Sequence, residues 1–191
     1  MSCVDYMDIF NCTPVRSIKQ TVNQLLGAAF GSSGQRCMAL SVVVAVGGIG
    51  KELIDELKIQ MSSFKVGPYH EEANNFGPLV SKDHMNNVLM SINSAEKDGA
   101  EIIVDGRNDC KVKQKYKNGY YLGATLIDKV KVSMQSYKQE IFGPVLQIIN
   151  VKSFDEGIKI INDNKFGNGC CIFTGNGEAA RTFTHNINVG M

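Results

Sequence analysis

Charge of one sign is what this sequence has least of. Its 191 residues carry 20 lysines and arginines against 19 acids, a formal charge of +1. That balance removes any electrostatic reason to expect nucleic acid or an anionic membrane surface as a partner. No apolar run approaches membrane-spanning length. Paired C-x-x-C spacing is absent too. The six cysteines stand at positions 3, 12, 37, 110, 170 and 171, too scattered for a zinc ribbon and too sparse for a disulfide scaffold. With no secretory leader ahead of them, a reducing compartment is expected. His70, His84 and His185 have no acid or cysteine at ligand spacing, so no metal is assigned. The first residues hold Asp5 and Asp8 and no arginine before Arg16, so no transit peptide is visible. Internal repeats and low-complexity tracts are missing as well.

What is present is an alternation of helical and extended patterns. Between Ser17, a candidate N-cap, and Phe30, apolar residues recur at helical spacing through Ile18, Val22, Leu25, Leu26 and Ala29. Leu40–Val46 is a nearly continuous β-branched run, the pattern of a strand buried on both faces. Lys51–Phe64 returns to helical spacing. Further helices are expected over Lys82–Lys97, Phe154–Asn162 and Glu178–His185. Strands are expected at Glu101–Val104, Tyr120–Ile127, Val145–Val151 and Cys170–Thr174. Such alternation implies an α/β fold with a largely parallel sheet and flanking helices. The polar stretch Lys111–Gly119, with lysines at 111, 113, 115 and 117, reads as a solvated surface loop. Side chains of Cys170 and Cys171 should point to opposite faces of their strand and pack rather than pair. Gly47-Gly48-Ile49-Gly50 precedes a helix but lacks the G-x-G-x-x-G spacing and distal acid of a dinucleotide turn.

Chemistry concentrates at Phe30-Gly31-Ser32-Ser33-Gly34-Gln35-Arg36-Cys37-Met38-Ala39. Glycines at 31 and 34 allow backbone conformations that hold Cys37 open to a substrate. A neighbouring cation such as Arg36, or amides converging on sulfur, favours the thiolate, the form that attacks a carbonyl. The plainer reading is a buried inert cysteine. Arg36 also suits a substrate carboxylate, which a guanidinium grips bidentately, or it only salt-bridges locally or tunes Cys37.

The run Phe30 to Cys37, followed about a hundred residues later by Glu140-Ile141-Phe142-Gly143-Pro144, resembles the two signature segments of the NAD-dependent aldehyde dehydrogenases. Gly34-Gln35-Arg36-Cys37-Met38-Ala39-Leu40 and Phe166-Gly167-Asn168-Gly169 are similar to the CoA-acylating methylmalonate-semialdehyde dehydrogenase branch. Asn75-Phe76-Gly77-Pro78-Leu79 and Gly119-Tyr120-Tyr121 extend the likeness from about Val22 to Met191, while Gly123-Ala124-Thr125 departs from the family's proline before threonine. The resemblance implies the family's catalytic-domain fold over residues 17–191, cut short at its C-terminal end, with 1–16 a segment of no assigned element.

It further implies Cys37 as nucleophile, Glu140 at the nicotinamide ribose and Phe142 beside the nicotinamide, with Arg36 as the substrate-binding candidate. NAD is the implied cofactor and coenzyme A the co-substrate. Methylmalonate or malonate semialdehyde would be oxidised through a cysteine thioacyl intermediate to an acyl-CoA, in valine or thymine breakdown. The amide of Cys37 would donate to the oxyanion; the family's second donor lies in a domain that this sequence does not hold. A homo-oligomer is implied for the full-length enzyme. The resemblance implies a mitochondrial address, while the visible sequence leaves a cytoplasmic one open. Two rivals stand beside this expectation: a hydrolytic NAD-dependent aldehyde dehydrogenase, and a non-catalytic fragment or interaction domain. The isolated chain, without the family's cofactor domain, is expected to be inactive and to hold no NAD.

Overall fold

Six strands form one sheet in the order β3-β4-β5-β2-β1-β6. The computed structural model describes the backbone of residues 5–10 and 114, and residues 18–108, 112 and 115–191. The strands are β1 (Asp5–Phe10), β2 (Leu40–Val46), β3 (Glu101–Val104), β4 (Thr125–Asp128), β5 (Val145–Val151) and β6 (Cys170–Phe173). Every neighbouring pair is parallel except β3 with β4, which is antiparallel. The helices are α1 (Ile18–Phe30), α2 (Gly50–Met61), α3 (Lys82–Lys97), α4 (Gln135–Lys138), α5 (Phe154–Asn162) and α6 (Gly177–Asn186). No helix among the described residues is long and apolar enough to cross a membrane.

The sheet has a core on each face because its central strands are apolar at successive positions. Val42, Val44 and Val46 of β2 join Val88 and Ile92 of α3, Ile161 of α5 and Phe183 of α6. Val43 and Ala45 point the other way, to Val22 and Leu25 of α1 and Leu53 and Leu57 of α2. Cys170 packs against the first cluster and Cys171 against the second, as strand alternation requires.

The expected elements appear, with corrections. Residues 1–16, to which the sequence assigns no element, include β1, which fills the slot between β2 and β6. Its two acids break the apolar run that marks the other strands, so sheet pairing rather than local pattern places it. The expected strand Tyr120–Ile127 begins only at Thr125. Tyr120 O is taken by Leu79 N at 2.8 Å and Gly123 N by Gly106 O at 3.0 Å, so these residues bond to loops instead of a ladder. The helix expected to reach Phe64 ends at Met61, where Ser62 and Ser63 donate their hydroxyls to Ile59 and Gln60 carbonyls. Ser17, the candidate cap of α1, lies outside the described residues, as do Lys111 and Lys113. Nearby, Gln114–Tyr116 forms a single tight helical turn, and Lys115 sits over the Tyr116 ring at 4.6 Å. The Gly47–Gly50 turn lies at the carboxyl end of β2. Its φ angles at Gly47 (68°) and Gly48 (92°), and the contact a Gly50 side chain would make with Asn150 Oδ1, explain its glycines structurally.

Candidate active site

The parallel strands give the sheet an amino edge, and the candidate residues gather there. Cys37 lies three residues before β2, Glu140–Pro144 lead into β5, and Asn168 lies two residues before β6. Phe30 closes α1 as a fully buried anchor, its ring 5.8 Å edge-on from Phe64 and 6.4 Å stacked on Phe76. The chain then turns left-handed for three residues: Ser32 (φ 55°), Ser33 (φ 58°) and Gly34 (φ 67°). Each of the two serines costs on the order of 1 kcal/mol there, so neighbouring contacts must hold the turn.

Those contacts come from two other loops. Buried Ser33 donates Oγ–H to Gly77 O at 2.6 Å. Gln35 bridges the same loop with both ends of its amide: Nε2 donates to Pro78 O at 3.3 Å, and Oε1 accepts from Val80 N at 2.9 Å. On the other side Gly34 lies against the Gly143 carbonyl with no room for a Cβ. Gln35 N donates to Ser32 O and Ala39 N to Arg36 O, closing a β-turn with Cys37 and Met38 at its centre. Cys37 is exposed at that apex.

The Glu140–Pro144 turn is strained as well. Phe142 adopts φ 53°, and its exposed ring meets His84 at 6.5 Å between centroids. Its carbonyl accepts a hydrogen bond from His84 Nε2 at 2.8 Å, which places the proton on that nitrogen. Pro144 O accepts from Thr125 N at 2.9 Å, tying the turn to β4. Half-buried Glu140 opens onto a cleft of about 540 Å³ lined by His84, Asn87, Ser136, Gln139 and Phe166. Ser136, 1% exposed, has a hydroxyl with no partner among the described residues.

Arg36 reaches backward. Its Nη2 donates to Gly27 O and Ala28 O, both at 2.8 Å, so the guanidinium caps the last turn of α1 and lies against Gly31. The sequence offers a substrate carboxylate, a local salt bridge or Cys37 as the partner of Arg36, but not these two carbonyls, which depend on where α1 ends. Nor does it point to Asn168, whose side-chain amide donates to Cys37 O at 2.8 Å. In the sequence, Phe166–Gly169 carries only a family likeness, with no chemistry of its own to single out Asn168. Of the four candidates, Cys37 and Arg36 share one turn, Glu140 and Phe142 share another, and the Gly34 to Gly143 contact joins the two turns.

The aldehyde dehydrogenase family model matches residues 13–191. The chain is 46% identical over 178 residues to a malonate-semialdehyde dehydrogenase of Bacillus cereus, covering 93% of this chain and 36% of that protein. Among solved structures, a methylmalonate-semialdehyde dehydrogenase from Oceanimonas doudoroffii superposes with a TM-score of 0.92 at 48% identity. A putative methylmalonate-semialdehyde dehydrogenase from Sinorhizobium meliloti, complexed with NAD, gives 0.93 at 39%. Each superposition covers the whole of this chain and 38% of the other. The chain thus spans well under half the length of these relatives.

Proposed function

The chain belongs to the aldehyde dehydrogenase family, and from that premise we propose that it carries the nucleophile-bearing part of an NAD-dependent, CoA-acylating semialdehyde dehydrogenase. The observation that supports this reading most is the backbone contact of Gly34 with Gly143, which sets an exposed cysteine turn beside an acid–aromatic turn on one sheet edge. Malonate or methylmalonate semialdehyde is the proposed substrate, by likeness to the named relatives.

Cys37 Sγ, as thiolate, attacks the aldehyde carbon, and the Cys37 amide donates to the oxygen as it gains negative charge. The chemistry of the second turn fits the nicotinamide end of a dinucleotide. Glu140 offers carboxylate acceptors to vicinal ribose hydroxyls, and Phe142 an exposed ring face. NAD, when bound, accepts the hydride that leaves the aldehyde carbon. Cys37 is then left acylated as a thioester. The substrate carboxylate departs as carbon dioxide, its bonding pair staying on the α-carbon, which takes a proton from water, and a CoA thiolate then takes the acyl group while the Cys37 thiolate leaves. With both Nη2 hydrogens held by α1, Arg36 has Nη1 to offer the substrate carboxylate, a single-nitrogen contact rather than a two-nitrogen fork.

Glu140 and Phe142 would meet only the nicotinamide end of the dinucleotide, whereas adenine and pyrophosphate supply most of its affinity. The isolated chain is therefore proposed to present the nucleophile without retaining NAD. The test is NADH release from methylmalonate semialdehyde and NAD, with and without CoA, using Cys37→Ala as blank. No NADH, with Cys37 quickly alkylated by iodoacetamide, is the expected result. Cys37-dependent NADH would overturn the half-site reading. Cys37 inert to iodoacetamide would overturn the nucleophile itself.

A further inference from the structure

We propose that Asn168 is a positioning residue for Cys37, an inference that rests on Cys37 being the nucleophile. Cys37 and Met38 are the two central residues of the turn closed by Ala39 N to Arg36 O at 3.1 Å. The peptide between them is the plane that rotates when a β-turn passes between types I and II, so it is the soft coordinate of the turn. Asn168 Nδ2 donates to the oxygen of that plane, Cys37 O, at 2.8 Å, and also lies 2.9 Å from Met38 Sδ. One amide therefore fixes both the orientation of the central peptide and the side chain that follows it. Rotation of the plane would carry the Cys37 carbonyl away from Asn168 and change the direction in which the thiol is presented.

The lever is itself braced. Gly167 O accepts from Gly190 N at 3.0 Å, and Cys170 N donates to Met191 O at 2.8 Å, so bonds on both sides of Asn168 tie its segment to the chain at 190–191. A side chain on Gly190 would press on Asn168 O. The clamp joins residues 131 apart in sequence, so β6 and the segment leading into it position the nucleophile that precedes β2.

Asn168→Leu keeps the shape of the side chain and removes both donors; Asn168→Gln keeps an amide on a longer arm. With the central peptide released, Cys37 is presented for only part of the time, and its observed reactivity falls by that fraction. The pH-independent rate of Cys37 alkylation by iodoacetamide should drop about fivefold in Asn168→Leu, the factor one lost hydrogen bond carries. It should return to within about twofold of the parent in Asn168→Gln. Wild-type reactivity in Asn168→Leu, or equal losses in both variants, would overturn the proposal. If Asn168→Leu does not fold, the parent chain decides: a through-hydrogen-bond NMR coupling between Asn168 ¹⁵Nδ2 and Cys37 ¹³C′ is expected, and its absence overturns the proposal. Alkylation needs neither aldehyde nor NAD, so failure of the dehydrogenase reading shows separately, as an acyl-transfer result.

Discussion

Gly34 and Gly143 touch backbone to backbone: a Cβ on Gly34 would run into the Gly143 carbonyl oxygen. The turn bearing Cys37 and the turn following Glu140 are thus set by one contact that only glycine permits. Gly34→Ala should destabilise the chain by more than about 1 kcal/mol, from the φ of 67° alone, with the collision added. Gly48→Ala is the control, since φ there is 92° but the space is open. Thermal unfolding of the two variants should separate them, Gly34→Ala losing clearly more, and Cys37 alkylation should slow only in Gly34→Ala.

Ser33 supplies the second hold on the same turn. Ser33→Ala removes a buried donor and leaves Gly77 O short of a partner, a change expected to cost about 1–3 kcal/mol in denaturant unfolding. An unchanged midpoint would mean that Gly77 O finds water.

The capping of α1 by Arg36 and its proposed contact with a substrate carboxylate are separated by one pair of reagents. Iodoacetate carries a carboxylate and iodoacetamide does not. If Arg36 offers Nη1 to an anion, Arg36→Leu should lower the iodoacetate rate at Cys37 several-fold relative to iodoacetamide. Equal changes with both reagents would confine Arg36 to capping α1.

Away from the site, Arg107 pins the loop after β3 to α3, bonding Asp105 through two nitrogens, Nε at 2.8 Å and Nη2 at 2.7 Å, and Glu96 at 2.7 Å. Its side-chain bonds hold the Asp105 carboxyl below the ordinary carboxylate range. A depressed folded value means that the stabilisation is complete above the unfolded value of about 3.9 and fades as pH falls through the lower folded one. Asp105→Asn should therefore narrow the stability difference between neutral pH and about pH 3, with a modest effect because the pair is partly exposed. An unaltered acid profile would contradict the assignment.

Much of the fold was legible where burial on both faces imposes an unbroken apolar run, as in Leu40–Val46 and Val145–Val151. β1 was not, because Asp5 and Asp8 interrupt its pattern and its place depends on parallel neighbours more than thirty residues away. Tyr120–Gly123 reads as strand by residue type, yet Leu79 and Gly106 claim its backbone. At the site, the cysteine turn announced itself through its glycines and the second turn through Glu140-Ile141-Phe142-Gly143-Pro144. The destination of Arg36 and the clamp from Asn168 are long-reach side-chain contacts that no local spacing encodes.

The most direct measurement is acyl transfer from propanoyl-CoA to the isolated chain, followed by intact mass and peptide mapping. Attack of the Cys37 thiolate on the thioester carbonyl, with the CoA thiolate leaving, should place one propanoyl group on Cys37 and none on Cys37→Ala. A chain that stays unmodified while Cys37 alkylates quickly would contradict the CoA-acylating reading, and equal modification of Cys37→Ala would contradict Cys37 as the nucleophile.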